Sequence, residues 1–186
     1  MNQGPTIEKI SFPIRNFMQA AAIACGILSL FLLFLPDKTY AIGVGDIAPD
    51  FKIITLGGKE ISYQQDIKAK KPLYLVFWAT WWPYCKSELP RVEKLYEEFG
   101  DRIEFIGINV GTEKDLQSFI EKYHLTFPIA YDRGNKITSL FEAKIETNIL
   151  IERKGVITYK EKGFWDDMKG YIRKLIDKWV HAVWVF

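Results

Sequence analysis

Cysteine is scarce in this chain of 186 residues: there are two, Cys25 and Cys85, and only Cys85 lies outside an apolar stretch near the N-terminus. Histidine is equally scarce, with only His124 and His181. Neither stands in the close spacing with other Cys or His residues that a tetrahedral metal site requires, so no metal and no cofactor is implied. The net charge is only +2. No basic stripe with interleaved aromatics occurs, which removes the usual footprint of a nucleic-acid partner. Repeats and low-complexity segments are also missing. With 48% of its residues apolar, the chain can fill a core, and disorder is not its default.

One long uncharged run is present. "FMQAAAIACGILSLFLLFL", Phe17–Leu35, matches one bilayer core at helical rise, about 20 residues. Lys9 and Arg15 precede it, while Asp37 and Lys38 cancel on the far side. That asymmetry predicts a cytoplasmic segment 1–16, a membrane helix 17–35 and an extracytoplasmic remainder, in the periplasm or on the outer face of the cytoplasmic membrane. The run either stays as an anchor or is removed near Ala41, after the small-residue site Thr39–Ala41. Cys25 reads as a small filler within it. A linker over 36–43 then leads to a folded region at 44–180, with an apolar tail at 181–186 too short to span a bilayer. The tail is expected to pack on the domain. In an oxidising compartment an unpaired cysteine is unusual, and the folded region holds Cys85 alone.

Hydrophobic periodicity lays out that region. Val44–Gln65 carries two short β-like runs around Gly57-Gly58, a hairpin signal. "KPLYLVFW", Lys71–Trp78, is a continuous apolar run expected of a strand covered on both faces. Leu89, Val92, Leu95, Tyr96 and Phe99 keep helical spacing up to Gly100, with Pro90 inside the pattern as a source of a kink. Arg102–Val110 is a second buried strand. Thr112 is placed to cap a helix bearing Leu116, Phe119, Ile120 and Tyr123, with Asp115 at the capping-box position. A short extended piece at Phe127–Asp132, a short helix at Ile137–Phe141 and a hairpin over Asn148–Lys160 through Arg153-Lys154-Gly155 follow. A last helix bears Met168, Ile172, Leu175, Ile176 and Trp179. This order predicts an α/β fold with a mixed central sheet and helices on both faces.

The chemistry centres on "FWATWWPYCKSELP", Phe77–Pro90. Together with "VGDIAPDFKI", "GGKEIS" and "LIERKGVI", in that order, it makes the region from about Val44 to Ile176 resemble the TlpA/ResA family of extracytoplasmic thiol-disulfide oxidoreductases. The resemblance implies a thioredoxin-like fold with an N-terminal β-hairpin extension, tethered to a membrane or periplasmic, exchanging electrons with the thiols and disulfides of protein partners. The family's site is W-C-x-x-C at the start of a helix. There the first thiol is activated by the helix N-terminus and the second resolves the mixed disulfide. In this sequence Trp81 matches the family tryptophan, Pro83 and Tyr84 the intervening pair, and Cys85 the second cysteine. Trp82 stands where the nucleophile belongs. The resemblance also places Glu146 where the family has a cis-proline facing the cysteines. A cis bond before a non-proline residue costs about 3–4 kcal/mol, so a trans bond and a rearranged loop are expected. Glu88 matches the carboxylate that members carry one turn beyond the second cysteine.

Two functional readings follow. One is a residual or monothiol oxidoreductase using Cys85, with Glu88 and Trp81 around it. The other is a redox-inactive module that keeps the fold to hold a membrane-associated or other protein partner through an exposed Trp82–Tyr84 surface. A one-cysteine peroxidase is a third possibility of the fold. Its P-x-x-x-T-x-x-C pattern fails, because Trp78 and Trp82 occupy the proline and threonine positions.

Overall fold

The computed structural model describes residues 41–164 and 166–183, with side chains up to 177. The expected membrane helix, Cys25, the charges flanking the helix and the last residues of the tail lie outside that set. Among the described residues no helix is long and apolar enough to cross a membrane.

A five-stranded sheet forms the centre, in the order β5 (Ile129–Tyr131), β4 (Glu104–Asn109), β3 (Leu73–Trp78), β6 (Thr147–Ile151), β7 (Ile157–Lys162). Strands β3, β4 and β5 are parallel, while β6 runs antiparallel to both β3 and β7. Every residue of β3 is buried, which is why its sequence shows no polar alternation. The period of two still sorts its side chains. Tyr74, Val76 and Trp78 join one core cluster, Leu73, Leu75 and Phe77 the other.

The helix α1 (Cys85–Phe99) runs through Pro90 and buries Cys85, Glu88, Leu89, Val92, Glu93, Leu95 and Phe99. Proline lacks an N–H, so the carbonyl one turn earlier loses its helical donor there. With α4 (Met168–Val183), α1 covers the Tyr74 side of the sheet through Met168, Ile172, Leu175 and Ile176. The opposite side is closed by the expected hairpin, β1 (Lys52–Ile54) paired with β2 (Glu60–Ser62), and by Ile137 and Phe141. Phe51 stacks on Tyr63 within this layer, ring centroids 5.4 Å apart.

Several boundaries differ from the sequence reading. Helix α2 (Leu116–Tyr123) begins beyond Thr112, whose hydroxyl accepts a local bond from the Lys114 amide at 3.0 Å instead of capping the helix. Threonine hydroxyls form such turns in competition with capping. Asp115 precedes α2 in a left-handed conformation with no side-chain cap bond. Helix α3 (Lys136–Leu140) starts one residue earlier than expected. Its first amides are held by Asp132, which accepts from the Ile137 and Thr138 amides at 3.0 and 2.8 Å. Helix α4 continues to Val183, past the expected end of the folded region at 180.

Candidate functional site

The site is assembled where α1 starts, beyond the end of β3. Cys85 is the first residue of α1 and is 0% exposed. Burial pushes its thiol up to about 12, with the Glu88 and Glu146 carboxylates adding to the rise and a backbone hydrogen bond at Ala79 opposing it. The helix N-terminus, which favours thiolate at an exposed first position, is outweighed here by desolvation. At neutral pH Cys85 is therefore a protonated, enclosed thiol.

The aromatic residues before it divide into two kinds. Trp81 and Tyr84 are exposed, at 56% and 67%. Trp82, expected to be the exposed member of the surface, is half-buried and packs against the core cluster that contains Cys85. The cause is packing: the indole at the nucleophile's position finds apolar surface inward, between an edge contact to Trp81 (centroids 5.7 Å) and a tilted contact to Tyr84 (6.4 Å). Lys162 sets its ammonium 5.7 Å from the Trp82 ring centroid, a cation–π contact. Trp81 lies against the backbone of Gly111, where a Cβ would come within 3.1 Å of its indole nitrogen. Gly111 also has φ 116°, a conformation that only glycine adopts readily. Pro83 is exposed between the rings.

Glu88 is 5% exposed, inside the first turns of α1. Its Oε1 accepts a 2.6 Å bond from Asn148 Nδ2. Burial raises its carboxyl from the ordinary 4.5 to about 7, aided by the Glu146 charge and opposed by the Asn148 bond and Arg91. Asn148, a β6 residue that is fully buried, went unnoticed in the sequence. Its Nδ2 also faces the carbonyls of Gly163 (3.0 Å) and Glu146 (3.2 Å), and its Oδ1 accepts from the Tyr74 hydroxyl at 2.7 Å. Tyr74 is driven well above its usual range by burial and the Glu88 charge. Nothing short-range in the sequence marks Asn148. The cue available was a polar residue at the start of a strand that continues as Ile149-Leu150-Ile151, since a buried amide requires partners.

Glu146 is 7% exposed. No cis peptide bond occurs among the described residues, and Glu146 takes φ 71°, a left-handed conformation costly for a residue with a Cβ. Its amide donates to the Phe77 carbonyl at 2.7 Å, and its carbonyl accepts from the Gly163 amide at 2.7 Å. Both polar groups of this backbone unit are thus engaged within the domain. Of the residues singled out from sequence, the structure brings Cys85, Glu88 and Glu146 into electrostatic contact. Trp81 and Tyr84 stand outside that cluster, on the surface. His124 is an exposed residue at the end of α2, and among the described residues no three His, Cys, Asp or Glu side chains converge as a metal site.

Comparison with known proteins agrees with this frame. The AhpC/TSA family pattern matches residues 44–160. The thioredoxin-like protein YneN of Bacillus subtilis is 38% identical over 124 residues, covering 64% of this chain and 72% of its own length. The thiol-disulfide oxidoreductase ResA of Bacillus cereus is 32% identical over 160 residues, covering 82% and 91%. Among solved structures, a putative protein disulfide isomerase from Bacteroides thetaiotaomicron superposes with a TM-score of 0.68 at 26% identity, covering 77% of this chain and 96% of its own. StoA from Bacillus subtilis gives 0.59 at 26%, covering 68% and 98%.

Proposed function

This chain belongs to the AhpC/TSA family and to its TlpA/ResA-like, thioredoxin-fold thiol-disulfide oxidoreductases, and on that premise we propose that it is a partner-binding module whose own thiol is silent. The observation that carries this reading is the state of Cys85: fully enclosed, held protonated by burial, and without a second thiol in the domain. Dithiol exchange needs an accessible thiolate and a second cysteine to pair with it, and the site offers neither. What it offers instead is a firm aromatic surface. Trp81 is braced on Gly111, and Tyr84 projects from the turn before α1, both beside the inward-turned Trp82. Exposed rings of this kind are the usual anchors of a protein interface. The partner is a protein with an apolar segment. It is met outside the cytoplasmic membrane, as the uncharged run at 17–35 and its flanking charges favour.

Thiol labelling tests the reading. In the native full-length protein, with Cys25 replaced by Ser so that one thiol is counted, a small maleimide is expected to leave Cys85 unmodified until denaturant is added. Labelling of the native protein at the rate of a free model thiol overturns it in favour of a monothiol. The binding half is tested with a photo-crosslinking side chain at Tyr84: a discrete adduct with one protein is expected, abolished by Trp81→Ala. Adducts unchanged by Trp81→Ala reject the surface.

A further inference from the structure

Beneath the aromatic surface lies a buried polar junction that silent thiol chemistry does not need. Glu88 from α1 points at Asn148 of β6. Around its carboxyl stand Cys85 and Arg91 from α1, Tyr74 from β3, Glu146 from the loop before β6 and Tyr159 from β7. Among the described residues no cation is paired with it at salt-bridge distance; Arg91 is engaged with Asp166. The amide of Asn148 has two N–H bonds and faces three acceptors: Glu88 Oε1, the Gly163 carbonyl and the Glu146 carbonyl, at 2.6, 3.0 and 3.2 Å. One acceptor must share.

We propose that Asn148 couples the protonation of Glu88 to the positions of Glu146 and Gly163, so that the rim of the aromatic surface is held when Glu88 is protonated and released when it is ionised. Two effects act in the same direction. An ionised Glu88 claims one N–H of Asn148 as a charge-assisted bond and leaves the two backbone carbonyls to share the other. It also repels the Glu146 carboxylate, whose residue already holds a left-handed backbone. A protonated Glu88 accepts weakly, frees both N–H bonds for the two carbonyls and removes the repulsion. The proton is taken from and returned to solvent. Gly163 directly follows Lys162, which rests over Trp82, and precedes Phe164, which lies under the Arg91 guanidinium at 4.2 Å. Release of Gly163 therefore reaches the docking surface itself. The titration falls near neutrality, since burial has brought Glu88 to about 7.

The inference concerns regulation of the surface proposed above and rests on that reading for its meaning, though not for its test. Amide hydrogen exchange of the full-length protein, corrected for intrinsic rates, is followed from about pH 5.5 to 8.5. Protection at the Glu146 and Gly163 amides is expected to fall by about tenfold or more with a midpoint near 7, while amides of β3 and β4 stay level. Glu88→Gln is expected to keep both amides protected throughout. Asn148→Thr, which leaves the carboxyl but cuts the link, is expected to abolish the step at Gly163. A level profile in the unaltered protein, or a step that survives Glu88→Gln, overturns the coupling. A level profile with the Tyr84 crosslink still lost in Trp81→Ala rejects the coupling alone. An intact step with a crosslink indifferent to Trp81→Ala rejects the docking surface alone.

Discussion

The two sides of β3 make an instructive pair. On one, Leu73, Leu75 and Phe77 meet Ile53, Ile61, Ile137 and Phe141 in an apolar layer. On the other, alternate residues of the same strand meet α1 and α4, and there Tyr74 reaches into the Asn148–Glu88 junction beside Cys85. Both sides are equally buried, yet they differ in what burial does. On the first side burial is simply favourable, since hydrocarbon leaves water. On the second it is favourable for the carbon atoms and costly for a carboxyl, a thiol, a phenol hydroxyl and an amide, which must be compensated within the site. The first side is scaffold, and the second carries the candidate site.

Substitutions on each side break this comparison in different ways. The largest effect is expected from Trp82→Cys, which returns a thiol to the start of the helix. Disulfide reduction by the purified protein, measured with insulin, should rise from background to a catalytic rate as the introduced thiol and Cys85 cycle. If a disulfide forms without turnover, the Glu146 loop is the remaining obstacle. On the apolar side, Phe77→Ala should cost about 3–5 kcal/mol in chemical denaturation, equally at pH 5 and pH 8, because nothing charged is involved.

Glu88→Gln sharpens the contrast. Glu88 holds its proton up to about 7 in the fold but releases it near 4.5 when unfolded. Between those values the folded state binds more protons, so this group's contribution to stability falls as pH rises and is lowest above 7. The Gln variant should match the parent near pH 5 and exceed it at pH 8 by roughly 2–3 kcal/mol, allowing for relaxation around the site. A constant difference across that range would show that the carboxyl ionises normally. The smallest effect is expected from Glu146→Gly, which relieves the left-handed backbone at φ 71°. It should gain about 1 kcal/mol, partly offset by the entropy of glycine in the unfolded chain.

Much of the fold could be read in advance, and the reasons are local. The apolar run of β3, the Gly57-Gly58 turn and the helical spacing of Leu89, Val92, Leu95 and Phe99 each express a period within a few residues. Helix starts were less legible. Thr112 satisfies its hydroxyl on a neighbouring amide, and Asp132 reaches across five residues to hold the start of α3; both outcomes depend on loop shape. At the site, the motif around Cys85 identified the position and the missing nucleophile. It did not reveal which of three adjacent aromatic residues would turn inward, nor that Asn148 would tie Glu88 to Tyr74 and Gly163.

The sequence alone determined the sheet's apolar strands, the place of the site at the start of α1 and the absence of a second thiol in the folded region, because composition and short-range periodicity are properties of the chain itself. Tertiary structure alone decided that Cys85 is sealed, that Trp82 packs inward while Trp81 and Tyr84 face out, and that Glu88 is poised near neutrality. Each of those depends on how much water and which partner a group meets. The partners come from residues about 60 positions apart, as with Asn148 and Glu88.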